Sequence, residues 1–571
     1  MKKKRISAET FDLAEERLGP LPIVNHFLDK LGLEKLFEKF VPTTDRRCTL
    51  PYARALGVLV RSIVVEREPI YRHYETVNAF SPSMFGLTRD EANSLKDDQL
   101  GRALDRLFDA DRGSLLTDIV VRTTRVFDVQ MEELHNDSTT IRYTGQYRLA
   151  KGRSIRGRRA PYITFGHSKD RRPDLKQLLF VLTTSCDGGI PVQFRCEAGN
   201  VNDATTHIET WEALRKATGK TDFLYVGDSK LCCYETLRHI DLQGGRLITV
   251  MPRSRVEDGH FRKWIQKNTP EWELVWDRPN ARKKYGPRDR WYVYKYHSPS
   301  QEAWPIVWVW STHLAQKQKR NRSDRLEQAK EELQDLDRKL KGRRPRLRSR
   351  KEIGDRIDEI LKRLKVQKYL RAQIWQEEIH RFRQETRGRP GPHTRYRRET
   401  RRRPRIRWEI DQAAVEYDEK SDGMYPLLTN DRSLTPRQVL EAHKRQPTIE
   451  KRFEQIKTVH EIAPVFLKNE GRIEALFFLY FVSLLVQALI EREIRRAMKR
   501  EGIEELPIYP EERPCKRPTA QQVLRLFAHT ERHHLLRGDD VVQIFEPKLT
   551  DIQRQVLKLL GVPIRMYTKP S

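Results

Sequence analysis

Several features that mark common protein classes are missing from the 571 residues of this chain. No stretch of 18 apolar residues occurs. The nearest approach, 475–490, contains Ser483 and Gln487 and has a glutamate on each side. It predicts a buried core helix, because a membrane span needs about 20 predominantly apolar residues. No apolar run follows the N-terminal charges, so we predict no secretory signal. We therefore expect a cytoplasmic protein with no membrane partner.

Motifs for metal-thiolate, nucleotide and hydrolase chemistry are also missing. The six cysteines form no C-x-x-C pair and have no histidine at zinc-ligand spacing, so we expect reduced thiols. No G-x-x-x-x-G-K-[ST] run occurs, which argues against a P-loop ATPase or helicase. Neither G-x-S-x-G nor H-E-x-x-H is present. The residues left for chemistry are carboxylates.

Positive charge is abundant. Lysine and arginine number 110 against 80 aspartate and glutamate residues, a formal net charge of +30. Nucleic acid is the usual partner of a soluble chain with such an excess. A solvated basic surface or a ribosome-associated protein would explain the same composition.

The hydrophobic periodicity predicts an α/β core after a helical N-terminal region. Apolar residues recur at three- and four-residue spacing before residue 125, which indicates helices. From 131 onward, strands and helices alternate, and Asp187-Gly188-Gly189 indicates a hairpin turn. The predicted strands are 131–145, 177–185, 190–198, 222–228 and 246–252, and the predicted helices are 202–219 and 231–244. This order predicts a mixed sheet flanked by helices.

The composition changes in the middle of the chain. Aromatic-rich strands are predicted at 291–297 and 304–310. Leucine and isoleucine then repeat at coiled-coil spacing, so 322–341 and 353–372 are predicted to pair as antiparallel helices. The basic segment 387–407 has glycine, proline and no periodicity, which predicts a loop or an arm that orders on binding. This segment would either contact DNA or form a solvated face.

These patterns divide the chain into five regions. The core is expected to be interrupted by a large insertion, and the two terminal regions are expected to be helical. The regions are 1–125 (helical, a candidate for binding DNA ends), 126–252 (first part of the core), 253–420 (insertion), 421–500 (second part of the core) and 501–571 (helical).

Two aspartates stand where a catalytic site would form. Asp137 lies within a predicted strand, where a buried acid is unfavourable unless it is paired or binds a metal. Asp228 ends the strand 222–228, and ligands gather at the carboxyl ends of such strands. Taken alone, Asp137 would equally suit a turn or a salt bridge, and Asp228 would equally cap the next helix.

A third acid is found in the predicted helix 447–459. Glu450 and Lys457 are two helical turns apart and share a face. Such a pair would let the acid bind a metal ion while the lysine meets a phosphate. The pattern alone is weak, because glutamate and lysine recur on every exposed helix. Glu454 competes for the same role.

Longer motifs resemble the DDE transposases of the IS-four type, a bacterial insertion-sequence family with an RNase-H-like core. The run Gly166-His167-Ser168-Lys169-Asp170, followed by Arg172-Pro173-Asp174-Leu175-Lys176-Gln177, is similar to a hallmark of one branch, GHSKD-x-RPDLKQ. The helix KDDQLGRALDRLF before it and the late apolar segment 472–493 are also similar to that branch. The resemblance extends over about 20–565.

The resemblance implies a site and an activity. Asp137, Asp228 and Glu450 would be the catalytic, metal-binding triad, with two Mg²⁺ ions, for which Mn²⁺ would substitute. The residues implied in DNA binding are Lys457, Lys169, Arg172, His443 and Gln446; the last two replace the tyrosine and arginine of the family signature Y-x2-R-x3-E-x6-K.

The implied function is cut-and-paste transposition or a related reaction. The partners would be double-stranded terminal inverted repeats and target DNA, held by a homodimer associated with the bacterial nucleoid. Two other functions stay open: a stand-alone metal-dependent nuclease on the same core, and a degenerate DNA-binding protein.

Overall fold

The computed structural model describes residues 11–45, 48–66, 72–144, 147, 152–280, 286–342, 346–347, 349–459, 467, 469–538 and 540–568. The chain forms two compact units. Unit 1 comprises 1–249 and 441–571, and unit 2 comprises 250–440.

Over its described residues, unit 1 opens with one strand and seven α-helices, in line with the helical region predicted there. The strand is β1 (Asp12–Arg17). The helices are α1 (Leu21–Leu31), α2 (Leu33–Phe40), α3 (Tyr52–Val65), α4 (His73–Ala79), α5 (Arg89–Asn93), α6 (Asp97–Asp109) and α7 (Arg112–Phe127).

The core of unit 1 follows. Its elements are β2 (Glu133–Tyr143), β3 (Ser154–Ile155), β4 (Arg158–Arg159), β5 (Lys176–Ser185), β6 (Pro191–Ala198), α8 (His207–Thr218), β7 (Leu224–Gly227), α9 (Tyr234–Leu242) and β8 (Arg246–Val250). Five strands form a mixed sheet in the order β6-β5-β2-β7-β8. β5 is antiparallel to both of its neighbours, whereas β2, β7 and β8 are parallel. This order and these directions are those of an RNase-H-like core, the fold that the resemblance implies.

Unit 2 contains the aromatic strands and the coiled-coil hairpin. Its elements are α10 (Val256–Trp264), β9 (Glu273–Arg278), β10 (Asp289–Lys295), β11 (Ile306–Ser311), α11 (Thr312–Leu340), α12 (Arg350–Leu364), β12 (Leu370–Gln384), β13 (Tyr396–Ile410), α13 (Gln412–Glu419), β14 (Met424–Thr429) and α14 (Pro436–His443, whose last residues belong to unit 1). Within the unit, β14, β11, β10 and β9 pair antiparallel in that order.

The rest of unit 1 surrounds a long apolar helix. Its elements are α15 (Pro447–Glu454), a π-helical turn (Gln455–Val459), α16 (Glu470–Arg500), α17 (Ala520–Arg525), β15 (Glu531–Arg537), β16 (Asp540–Phe545), α18 (Asp551–Leu560) and α19 (Arg565–Thr568). Among the described helices, α16 alone is apolar and long enough to cross a membrane, yet 89% of its most apolar window is buried inside the fold. It is therefore the buried core helix that the sequence predicts.

The coiled-coil seam is confirmed in register but not in full length. The leucines and isoleucines of α11 and α12 are buried together, including Leu333 and Ile353, both with no exposed surface. The second helix was predicted to reach residue 372, but it ends at Leu364, and Leu370 begins β12. Lys365 takes a left-handed conformation (φ 56°), which ends the helix.

Several strands were not predicted. The basic segment 387–407 was predicted as a loop, but from Tyr396 it belongs to β13, whose fifteen residues pair with β12. The terminal regions also contain strands, because β1 and β16 flank β15 in a three-stranded sheet. The charged strands among these, such as β1 and β13, lack the apolar alternation on which the prediction relied.

Candidate active site

Asp137 and Asp228 lie next to each other on neighbouring parallel strands. The register pairs His135 of β2 with Val226 of β7, and each aspartate follows two residues later. Asp228 lies directly after β7, at the carboxyl end of the strand, and its Oδ1 accepts a hydrogen bond from the Lys230 backbone N–H (2.9 Å). α9 begins only at Tyr234, so Asp228 does not cap that helix. The sheet thus brings together two of the three predicted acids.

The electrostatics of Asp137 reflect this crowding. The pKa of its carboxyl group is raised to about 6, chiefly by burial and in smaller part by the negative charges of Asp228 and Asp203. The ammonium group of Lys169 and the backbone N–H of Ser138 act in the opposite direction. A carboxylate held near others in this way gains from a bound cation, which favours its ionised form.

Asp203 is a third carboxylate at this place that the sequence patterns did not indicate. Its side chain accepts a hydrogen bond from Ser138 Oγ and forms an ion pair with Lys169 Nζ, both at 2.9 Å. These contacts lower its pKa against the effect of burial. The signal in the sequence was the pair Asn202-Asp203, which was predicted only as a helix start. Asn202 does cap the turn, by accepting from the Ala204 N–H, so its neighbour is left for the site.

Lys169 is the cation among these acids. Its Nζ donates to the backbone oxygen and to Oγ of Ser138, both at 2.7 Å, and lies 3.7 Å from Asp137 Oδ1. One ammonium group therefore offsets the charges of two aspartates, Asp137 and Asp203. The predicted DNA contact of Lys169 stays a prediction.

Two glycines fix the loop that carries Lys169. A Cβ atom on Gly166 would lie 1.9 Å from the carbonyl oxygen of Gly199, and one on Gly199 would lie 2.1 Å from the carbonyl oxygen of Gln177. The Gln177 side chain donates to the carbonyl oxygens of His167 and Gly199. Only glycine fits at both positions, so the Gly-His-Ser-Lys-Asp run and the turn at Gly199 pack closely against each other beside β5. We call this close contact the glycine lock. It directs the Lys169 side chain toward β2.

The helix α15, which carries Glu450, lies against β2. Gln446, just before the helix, is buried and donates to the backbone oxygen of Asn136, the residue before Asp137 (3.4 Å). At the other end, Lys457 in the π-helical turn forms an ion pair with Asp170 (2.9 Å). Glu450 is exposed between these two anchors. The structure therefore puts the third predicted acid on a helix beside the strand of the first.

A buried arginine holds α15 in place. Arg452 donates to the carbonyl oxygens of Gly188 and Gly189 in the β5–β6 turn, each at 2.8 Å. It also pairs with Glu491 of α16 at 2.8 Å, and both side chains are at most 5% exposed. The turn, α15 and α16 are thus joined by one charge network, which sets where Glu450 stands.

The other predicted DNA-binding residues have partners or are buried. Arg172 is exposed and pairs with Asp174 (2.7 Å). Burial lowers the pKa of His443 to about 3, so its ring is neutral at physiological pH. Gln446 points at the sheet. A DNA role for these residues, and for Lys457, stays a prediction.

The chemistry of the donors suits a hard divalent cation, but the set is incomplete. Asp137 and Asp228 offer carboxylate oxygens side by side, the type of ligand that Mg²⁺ prefers. Across the part of the chain that the structure describes, no three histidine, cysteine, aspartate or glutamate side chains are grouped closely enough to hold a metal ion. The residues fit Mg²⁺ at the two aspartates, and Glu450 would have to turn toward them.

The chain is similar to a described family near its N-terminus and to a solved transposase structure. Residues 13–121 match a family described as a domain of unknown function (DUF4277). No curated protein matches the chain. Among solved structures, the chain is similar to the piggyBac transposase in a synaptic complex with hairpin DNA, with 12% identity and a TM-score of 0.24. That match covers 52% of this chain and 63% of the piggyBac chain.

Proposed function

We propose that this chain is a DNA transposase of the DDE type that cleaves element ends and joins them to target DNA. The observation that carries the proposal is the placement of Asp137 and Asp228 at adjacent positions of parallel strands in an RNase-H-like sheet, with the Glu450 helix against the first strand. Three acids contributed by these elements would form one metal-dependent site.

Asp137, Asp228 and Glu450 would hold two Mg²⁺ ions, which when bound would polarise the phosphodiester and stabilise the attacking and leaving oxygens. The residues of this chain would position the phosphate and neutralise charge. Attack by water would break the P–O3′ bond at the element end and leave a 3′-hydroxyl group. That hydroxyl would then attack a target phosphodiester, form a new P–O3′ bond and release a target 3′-hydroxyl.

Lys169 would keep the acids in place before a metal ion binds. Its Nζ lies within ion-pair distance of Asp137 and Asp203, so it supplies part of the positive charge that the site requires. Both of its carboxylate contacts are to aspartates that a metal ion would also attract. Binding of the metal would thus weaken the attraction of these carboxylates for Lys169. Its ammonium group could then bind a DNA phosphate.

The proposal also covers partners and location. The substrates would be double-stranded terminal inverted repeats and target DNA, bound by a homodimer in the bacterial cytoplasm at the nucleoid. The positive net charge of +30 supports a polyanionic partner.

The test is a cleavage and strand-transfer assay with DNA that flanks the reading frame, a circular target, and Mg²⁺ or Mn²⁺. We expect D137A, D228A and E450A to lose both reactions while retaining DNA binding, and E454A to retain both. Activity in D137A or D228A would overturn the three-acid site. Activity in E450A together with loss of activity in E454A would identify Glu454, and not Glu450, as the third metal ligand. Cleavage without joining by the unchanged protein would favour the nuclease, and binding without cleavage the degenerate protein.

A further inference from the structure

A long arginine-rich hairpin in unit 2 has no part in the site described above. We call β12, β13 and the turn between them, residues 370–410, the basic ribbon. It contains thirteen arginines, five glutamates and neither lysine nor aspartate, a net charge of +8. Eleven of the thirteen arginines are exposed. Fifteen cross-strand pairs at about 3.4 Å per residue make it roughly 50 Å long.

The apolar residues that anchor the base of the basic ribbon all lie on one face. Leu370 and Ile406 are buried in the core formed by α11 and α12, and Ile374, Trp408 and Ile410 pack against it. Side chains alternate between the faces of a strand, so the even-numbered residues of both strands share this anchored face. The odd-numbered residues form the opposite face, which we call the outer face.

The outer face is rich in arginine from base to tip. Its eight arginines are Arg371, Arg381, Arg383, Arg397, Arg401, Arg403, Arg405 and Arg407, against three glutamates, Glu377, Glu399 and Glu409. Arg403 and Arg405 are tied to α11 through the Lys341 carbonyl oxygen and Asp337. The other six are exposed. Beyond these two contacts the outer face is open, because the apolar packing on the helices is on the even-numbered face.

The dense row of arginines lowers the stability of the ribbon unless an anion binds there. Arg383 lies directly opposite Arg397, and like charges in facing positions destabilise a sheet. Glu399 offsets only part of this, at 3.0 Å from Arg397 and 4.0 Å from Arg383. Charged edge strands do prevent strand-to-strand aggregation, but lysine would serve that purpose equally. The exclusive use of arginine points instead to a partner that accepts two parallel hydrogen bonds from the planar guanidinium group, such as a phosphate or a guanine edge.

We propose that the outer face of the basic ribbon binds duplex DNA. The major groove admits a two-stranded β-ribbon, and arginines on both strands of the ribbon would reach phosphates on both sides of the groove. Trp375, 41% exposed on the same face, adds an aromatic surface near the base. The choice of DNA over another polyanion rests on the proposed function, whereas the binding surface rests on the ribbon itself.

The test compares two double variants that remove the same amount of charge from opposite faces of the ribbon. R381Q/R401Q removes two arginines from the outer face, and R398Q/R402Q removes two exposed arginines from the anchored face in the same part of the ribbon. Binding of the full chain to a fluorescent 30-base-pair duplex is measured by anisotropy at several salt concentrations. For R381Q/R401Q we expect the slope of log K against log salt to fall by roughly 0.9 for each DNA phosphate that the variant no longer neutralises. For R398Q/R402Q we expect the wild-type slope.

A shortened hairpin tests the whole surface. Joining Trp375 to Arg405 through Asn-Gly, a favoured two-residue turn, removes 376–404 but keeps the apolar base pairs. We expect at least tenfold weaker binding at about 100 mM salt. R381K/R401K retains the charge, so binding between that of wild type and R381Q/R401Q would support guanidinium contacts. Circular dichroism checks that each variant is folded.

Three results would overturn the proposal: wild-type affinity of the shortened protein, equal slopes for the two double variants, or ribbon-dependent binding that prefers RNA of the same sequence or phosphatidylserine vesicles. The readout is separate from catalysis, because D137A should bind DNA as the unchanged protein does. Loss of cleavage with ribbon-dependent binding would therefore count against the proposed function alone. Cleavage with ribbon-independent binding would count against the ribbon alone.

Discussion

Arginine has opposite roles in the interior of unit 1 and in the basic ribbon of unit 2. Arg452, Arg492 and Arg532 are at most 5% exposed, and each pairs with an acid from another part of unit 1. In the basic ribbon, most arginines are exposed and outnumber the glutamates. A buried charge has to be matched inside the protein, whereas an exposed excess attracts an outside partner. The same residue type therefore positions elements in one region and forms a binding surface in the other.

The largest effect on stability is expected at the buried ion pair between α15 and α16. We expect Arg452→Ala to lower the free energy of unfolding by about 3–5 kcal/mol, because it leaves Glu491 buried without its main partner. Chemical denaturation measures the change. Lys451→Ala, at the exposed neighbouring position, should change stability by at most about 0.5 kcal/mol. Similar effects of both substitutions would show that the pair does not hold the helix.

The ion pairs of the buried Glu133 should show a pH dependence. Burial raises the pKa of Glu133, but hydrogen bonds from His135 and Arg445 outweigh it and hold the pKa at about 2. Because the folded pKa lies below the ordinary value of about 4.5, the stabilisation is present above pH 4.5 and lost as the pH falls toward 2. We expect Glu133→Gln to cost about 3 kcal/mol at pH 7 and little near pH 2. A difference that is constant over this whole pH range would contradict the prediction.

The glycine lock behind Lys169 gives a smaller effect with a local consequence. Gly166→Ala would press a methyl group against the Gly199 carbonyl oxygen, and we expect a loss of roughly 1–3 kcal/mol. Gly113→Ala is the control in the same unit, because its new methyl group would meet no atom closer than 3.6 Å. If thermal unfolding shifts equally for both, the lock is not a steric one.

The smallest effect on stability is expected in the basic ribbon. Arg381 and Arg401 are exposed on the outer face, so R381Q/R401Q should alter the free energy of unfolding by at most about 0.5 kcal/mol. Its DNA affinity should fall all the same. A large loss of stability measured by denaturation would mean that these arginines hold the ribbon together, as Arg452 holds α15.

Parts of the fold were predictable because local patterns determine them. The strand Lys176–Ser185 lies within one residue of the predicted 177–185, since an apolar run followed by Asp-Gly-Gly leaves few alternatives. The seam from Leu326 to Leu340 is buried as the heptad spacing predicts. The strand β13 was missed because its run of arginines has no apolar alternation and its proline disfavours a strand, so that only its pairing with β12 shows it.

The sequence by itself determined the positions of Asp137, Asp228 and Glu450 as candidate acids, the alternation of strands and helices along the core, and the excess of positive charge. The tertiary structure alone decided that Asp203 and Lys169 join Asp137, because these distant residues meet only through the Gly166–Gly199 lock and the Ser138 hydrogen bonds. It also decided which arginines are buried and which are exposed. Periodicity is a local property of the chain, whereas charge pairing depends on contacts between residues far apart in sequence.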